Sequence, residues 1–399
     1  MAEFRALWSA DLLSEVGDQL ARVALAVLVY QRTSSAVLTA LTYALTLLPS
    51  LLGGTLLSGL ADRLPRRRVM ITCQLLQAGM VALAALPGTP LALLCVLVFL
   101  VQLADAPAKA ARMALLPQIL LGDRYVAGQA IGHMTRQSAV LGGFAAGGIV
   151  VQAIGPYLAL VVNAATFLFA AAIEAVGVRP RPAPRDGAAT PGAMWASLGQ
   201  GVALITRSPR LRSLAALAWL AGCYAVPLGL AAPYAAELGG SPVTVGFLMA
   251  TAPAGSLIGV ALFTRLVPPE WRGRLMGPMA VLTSLPLVFC ALRPSVGVST
   301  LLWAAVGVFS AYQVAANAAF MRTVPDTSRG QAGGLVASGL VAVQGLGILL
   351  GGLLAEGIGA ARTVAVAGAL GVTLGLFAAY AWRRARIRTP EPAGETVSA

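Results

Sequence analysis

An all-α integral membrane protein, with twelve transmembrane helices arranged as two six-helix bundles about a pseudo-twofold axis, is the fold class this sequence predicts. Three observations predict it. First, 58% of the 399 residues are hydrophobic and only 11% are charged, with a mean hydropathy of +0.81. An average soluble domain is about 45–50% apolar and about 25% charged. Second, the chain contains twelve apolar runs of the length, about 20 residues, that a membrane helix needs. Third, 23 of its 28 basic residues fall on one side, in alternate breaks, at the run ends that border them, or at the termini.

The runs are 7–30, 36–60, 68–87, 90–113, 126–152, 156–178, 210–236, 242–266, 274–292, 297–320, 333–357 and 361–382. Their breaks carry turn chemistry, such as Pro87-Gly88-Thr89-Pro90 and Gly155-Pro156. They are too continuous for barrel strands, which alternate over about 10 residues. In lipid every backbone group must be satisfied internally, so helices remain. The arginines orient them. Only Arg32, Arg293 and Arg362 lie in one set of breaks, and Arg22 and Arg136 lie inside runs. The positive-inside bias therefore places both termini in the cytoplasm, for a multi-pass protein of a bacterial cytoplasmic membrane. It also accounts for the pI near 10.6: the charge is a topology signal that touches anionic lipid, and no nucleic-acid partner is implied.

The first run carries Asp11, Glu15 and Asp18 with no cleavage pattern after it, so it reads as a retained helix and not a signal peptide. Cys73, Cys95, Cys223 and Cys290 each sit in an apolar run without a CxxC partner, which implies packing residues and neither a disulfide nor a metal site. The single lysine, Lys109, among 27 arginines is the mark of a GC-rich genome.

The longest break divides the chain. It gives a bundle over 1–178, a cytoplasmic linker over 179–209, a second bundle over 210–382 and a tail over 383–399. The linker opens on the Pro-rich, charged stretch Arg179 to Arg185, and Met194 to Arg212 is expected to form an amphipathic surface helix. The halves resemble each other. Gly143, Gly147, Gly148 and Ile154-Gly155 recur as Gly347, Gly351, Gly352 and Ile358-Gly359, all offset by 204 residues, as are Pro49 and Pro253. Parallel repeats of six spans are the architecture of secondary transporters that rock two bundles about a central site.

The loop Ser58-Gly59-Leu60-Ala61-Asp62-Arg63-Leu64-Pro65-Arg66-Arg67-Arg68 resembles a motif of the major facilitator superfamily, G-x-L-a-D-R-x-G-R-R, with Ser58 and Pro65 in place of the two glycines. The stretch from Phe4 to Gln31 is similar to the superfamily's enterobactin-exporter and macrolide-efflux branch. The resemblance implies the major facilitator fold. It also implies that Asp62 caps the eleventh span, a contact the helix dipole favours, and so latches the halves at the inner side. Arg63, Arg66 and Arg67 would then pair with Asp105 or with lipid phosphates. The equivalent loop, Thr264 to Pro268, has no aspartate, so the latch is expected to be asymmetric. Gly143-Phe144-Ala145-Ala146-Gly147-Gly148 resembles the superfamily's antiporter motif G-P-x-x-G-G without its proline. Small residues four apart allow close helix packing, of span five on eleven or on eight.

Asp11, Glu15, Asp18 and Arg22 are spaced four, three and four, which puts them on one helical face. A charged face cannot point at lipid; it faces the bundle interior or a water-filled cavity. Asp18 lies roughly 16 Å into the run at 1.5 Å per residue. An acid at that depth, with Arg136 or Arg22 as its charge partner, is the candidate proton-coupling group, and Asp105 is a second. His133 shares a face with Arg136 but reads as a packing residue. Candidate substrate-cavity residues are Tyr43 and Gln102 in the first half and Tyr224, Gln313 and Asn317 in the second. Apolar walls with few polar anchors suit a drug-sized amphipathic molecule.

A membrane enzyme is disfavoured: there is one histidine, no HExxH and no Walker sequence. The expectation is a monomeric secondary exporter without cofactors or metals, driven by the proton motive force, that exchanges protons for a small molecule. A facilitator or importer on the same fold is the alternative.

Overall fold

The computed structural model describes residues 2–49, 51, 53, 64–120, 123–182, 199, 202–325 and 328–388. Among them there is helix and no strand. Eight helices are long and apolar enough to cross a membrane, and the chain is a multi-pass membrane protein.

The first half holds α1 (Ala2–Thr33), α2 (Ala36–Ala44), α3 (Arg66–Ala84), α4 (Leu91–Ile119) and α5 (Asp123–Gly177). At 1.5 Å per residue α1 is roughly 48 Å long, so Thr33 lies at the end of the molecule far from the N-terminus. There Ser34 takes a left-handed φ of 51°, and the Ser35 hydroxyl accepts from the Leu38 amide to start α2. Two expected runs, 126–152 and 156–178, form the two arms of α5. They meet at Gly155, whose φ of 80° turns the chain back on itself. Gly359, 204 residues later, repeats this bend with φ 86°. Only glycine adopts such backbone without strain, so the sequence repeat is also a repeat of backbone.

The second half holds α6 (Pro209–Trp219), α7 (Ala221–Tyr224), α8 (Val226–Gly229), α9 (Ala231–Glu237), α10 (Pro242–Leu266), α11 (Pro269–Val288), α12 (Val296–Phe309), α13 (Tyr312–Thr323), α14 (Arg329–Ile358) and α15 (Ala360–Arg388). The run 210–236 was expected as one continuous helix. It is four short pieces, with Pro227 and Pro233 inside. Its interruptions are satisfied by side chains, as lipid requires. The Tyr312 hydroxyl donates to the Leu217 carbonyl at 2.8 Å, and the Gln313 amide donates to the Ala218 carbonyl at 3.1 Å. The run 297–320 is likewise broken at Ser310-Ala311. Of the amphipathic stretch expected over 194–212, residues 202–207 are helical before Ser208 caps α6; 194–198 lie outside the described residues.

The core decides how the halves meet. At the far end one cluster runs through both: Val23 and Leu28 of α1, Ala40 of α2, Tyr234 of α9 and Leu248 of α10 all belong to it. At the N-terminal end the clusters are separate. One joins Leu7, Met70, Ala111 and Leu115; the other joins Leu214, Met276, Tyr312 and Trp382. The halves are therefore packed together at one end and apart at the other among the described residues.

The repeat glycines make the closed end. Gly143 and Gly147 pack on α1, against Gln19 and Val23, while Gly148 faces the other half: a Cβ there would lie 2.8 Å from the Pro242 carbonyl. Gly351 packs on Val226, while Gly352 crosses to Val37 and Ala40 of α2. Gly347 meets the backbone of Gly222. Span five thus packs on span eight and span eleven on span two. The alternative pairing of five with eleven is not formed, because the two glycine-bearing faces each point at the partner half's second helix.

Candidate functional site

The acidic face of α1 is built by the expected spacing, and the structure sorts its members by depth. Nearest the N-terminus, Arg112 of α4 pairs with Asp11 and reaches Glu174, on the second arm of α5, at 3.3 Å. Arg136 reaches the other oxygen of Asp11 at 3.6 Å. These groups bring four membrane segments together, since Arg136 lies on the first arm of α5. His133 lines a cavity of about 180 Å³ beside them. Glu174 has no exposed side-chain surface. It was not singled out from the sequence, although it is the one acidic or basic residue in the run 156–178, a signal that intramembrane charge supplies by itself.

One turn deeper, Glu15 accepts from the Gln19 amide at 2.8 Å, and Arg22 donates to the Gln19 oxygen at 3.1 Å. Gln19 is completely buried. The charge partners expected for Asp18 are therefore engaged elsewhere: Arg136 sits on Asp11, and Arg22 is bent back three residues onto Gln19. Asp18 makes no hydrogen bond or ion pair among the described residues. The charges that bear on it are Asp105, Glu15, Arg22 and Lys109. Asp105 itself is paired with Lys109, one turn along α4, at 2.6 Å.

Asp18 and Arg22 open onto a cavity between α1, α3, α4 and the second arm of α5, together with Thr46, Gln102 and Asn163. Apolar side chains such as Met80, Val98 and Leu160 complete its wall. The room in it for water is about 30 Å³, space for one or two molecules at the roughly 10–15 Å³ a water needs. A carboxylate without an ion pair, on a narrow cavity with room for water, can take up and release a proton without breaking a salt bridge. Tyr43, also proposed to line a cavity, is 4% exposed and packed in the shared core.

The second-half candidates are placed differently. Gln313 donates to the Tyr224 hydroxyl at 2.6 Å as well as to the Ala218 carbonyl, so both side chains brace the broken span. Asn317 is exposed.

Of the loop motif, Asp62 and Arg63 lie outside the described residues. Arg66 donates to the Ala114 carbonyl of α4 at 2.9 Å, and Arg67 to the Ala175 carbonyl of α5. Among the described residues neither arginine reaches Asp105, which Lys109 holds at 2.6 Å. Beyond the membrane segments, Glu3 binds Arg181 through both oxygens. The Arg181 guanidinium holds the Glu3 carboxyl below its ordinary range, and this fastens the start of the linker to the N-terminus.

At the far end a carboxylate joins the halves. Glu356, at the end of α14, accepts from the Ser35 hydroxyl at 3.2 Å and from the Ala36 and Val37 amides at 3.0 and 3.2 Å. Those amides open α2, whose dipole favours an anion there. Within the second half, Glu237 caps the first amides of α15 in the same manner.

Residues 7–299 match the family model described as Major Facilitator Superfamily. The chain belongs to the major facilitator superfamily. Solved structures of transporters share its fold across nearly the full length. A bacterial homologue of the human lysosomal transporter Spinster, in an inward-facing and occupied conformation, has 16% identity and a TM-score of 0.73, with 96% of each chain covered. A mutant of the peptide transporter POT in complex with alafosfalin has 14% identity and a TM-score of 0.73, with 97% of this chain and 96% of that one covered. A mutant of the nucleoside transporter NupG has 15% identity and a TM-score of 0.69, covering 96% and 99%. No curated protein sequence matches the chain. The family and the fold make this protein a transporter of the superfamily rather than an enzyme.

Proposed function

We propose that this superfamily member exports an amphipathic small molecule in exchange for protons, by alternating access, from the cytoplasmic membrane of a bacterium. The observation that carries the reading is Asp18: a carboxylate in the middle of α1, without an ion-pair partner among the described residues, on a cavity with room for water. Intramembrane acids of this kind mark ion and proton pathways.

In this reading the chain forms two six-helix bundles joined by the 179–209 linker and acts as a monomer. The basic end faces the cytoplasm. Separate cores at that end and a shared core at the other correspond to a cavity open inward. Substrate enters between the halves, and its arrival and the protonation of Asp18 exclude each other. Asp62 closes the inner side when the bundles rock over. The similarity of Phe4 to Gln31 to the enterobactin-exporter and macrolide-efflux branch, and the glycine pattern of span five, support export. The acidic face of α1 favours a cationic or zwitterionic substrate. A facilitator or importer on the same fold is the alternative, and direction is read from the same assay.

Inside-out vesicles energised by respiration test it, with a pH-sensitive dye and added lipophilic cations or natural products. The wild type is expected to release lumenal protons on substrate addition. Asp18→Asn is expected to lower that rate at least about a hundredfold, the scale of one essential proton-transfer group, and Asp62→Asn to slow both fluxes together. Substrate movement without proton movement in the wild type would sink the antiport reading.

A further inference from the structure

The basic end of the second half carries a groove apart from the candidate site around Asp18. It runs between α11 and α15 with a volume of about 710 Å³ and is lined by Arg274, Arg383 and Arg386 at its mouth and by Gly277, Leu376 and Tyr380 further along. The two helices touch along its floor. The Trp382 indole donates to the Gly273 carbonyl at 2.8 Å, and a Cβ on Gly277 would lie 2.9 Å from that of Ala379. No acidic side chain lines the groove. Among the described residues, none of its three arginines makes an ion pair or a hydrogen bond; Arg274 lies over the Trp271 ring at 5.2 Å.

We propose that this groove binds an anionic phospholipid, with its phosphate on the three arginines and an acyl chain along Leu376 and Gly277. The outer surface of these two helices is the lipid-facing kind. Leu376, Phe377 and Tyr380 of α15 are 57%, 68% and 59% exposed, as are large apolar side chains on α11. From Leu376 to Arg386 is roughly 15 Å along the helix, the distance from a headgroup into the hydrocarbon. Tyr380 lies between, where amphipathic rings sit at a membrane interface. Basic pockets between membrane helices select acidic headgroups, and arginine forks match phosphate oxygens two at a time. Gly277 lets α11 and α15 close beneath the groove, so that its floor is continuous under the acyl chain. The site is independent of transport direction and coupling.

The test uses the full-length protein in detergent and follows its thermal unfolding. Phosphatidylglycerol or cardiolipin is added in one arm, phosphatidylcholine in another and inorganic phosphate in a third. The expected result is a rise in midpoint of about 2–4 °C with the anionic lipids alone, as saturating ligand gives a protein of this size. The variant combining Arg274→Gln, Arg383→Gln and Arg386→Gln is expected to lose it. Arg124→Gln, at the same end of the other half, is expected to keep it. Arg383→Gln alone, at an exposed position, keeps the test readable if the triple variant does not fold, and should weaken lipid retention in native mass spectra at least threefold. An equal rise with phosphatidylcholine or with phosphate, or a full rise in the triple variant, would overturn the assignment.

Discussion

Glu174 sits among apolar side chains on the second arm of α5 with its charge compensated by Arg112, which also serves Asp11. Removing one partner of a buried pair leaves the other charge uncompensated, at a cost of about 3–5 kcal/mol. Glu174→Gln should therefore lower the unfolding midpoint by several degrees in detergent, and Glu174→Gln combined with Arg112→Met should recover part of the loss. A midpoint unchanged in the single variant would show that Arg112 is satisfied by Asp11 alone. Asp18 is the opposite case. It has no ion pair or hydrogen bond among the described residues, so Asp18→Asn should leave the stability within about 0.5 kcal/mol of wild type, the range of mutations that break no specific contact, while lowering coupling. The spacing of α1 made both its charged face and Asp18 legible in the sequence. It did not reveal the pairing, because an i,i+4 partner is only geometrically available. Gln19, buried between Glu15 and Arg22, competes for the guanidinium and takes it.

Among elements, the joint between α5 and α10 depends on backbone approach. A Cβ on Gly246 would lie 2.6 Å from the Phe144 carbonyl and 2.6 Å from the Gly148 Cα. Neither atom is a flexible side-chain tip that moves aside. Gly246→Val is therefore expected to hold the far end open and to reduce transport of any substrate at least tenfold, with protein in the membrane at wild-type level. The reading is a cross-linking assay between cysteines placed on α5 and α10 at this end. Wild-type cross-linking in Gly246→Val would refute it. The Gly143 to Gly148 pattern announced close packing, but two partners were open. Which was used depended on where the repeat's second copy landed: Gly352 faces α2, so by symmetry Gly148 faces α10. The broken run 210–236 was less legible. Pro227 and Pro233 mark it, but prolines also occur inside intact membrane helices such as α4 and α11. What separates the cases is whether neighbours such as Tyr312 and Gln313 supply donors to the freed carbonyls.

For the whole molecule, one helix pair, α2 and α14, carries the far-end latch through Glu356. The resemblance assigns spans two and eleven, to which α2 and α14 belong, an inner latch through Asp62. Two carboxylate caps at opposite ends of one pair would favour opposite states. Glu356→Gln keeps the size and removes the charge, which is worth about 0.3–1 kcal/mol at a helix N-terminus. It is expected to shift the population about two- to fivefold toward the state open at the far end. Spin labels on Thr33→Cys and Ser295→Cys, with the four native cysteines replaced, should report a larger share of long distances. An unchanged distribution would mean that the glycine contacts alone hold that end.

By itself the sequence determined the class, the helical character, the loop motif and a family that the chain does belong to, along with the acid on which the proposed coupling rests. These are local or compositional properties: hydropathy, period and spacing act within one segment and need no partner. The tertiary structure alone decided which residues meet. It placed Arg136 on Asp11, Lys109 on Asp105, Arg66 and Arg67 on backbone carbonyls, and Glu356 on the other half of the chain. Each of those is a competition among several charges or donors within reach, and it is settled by how membrane helices from distant parts of the chain pack against one another.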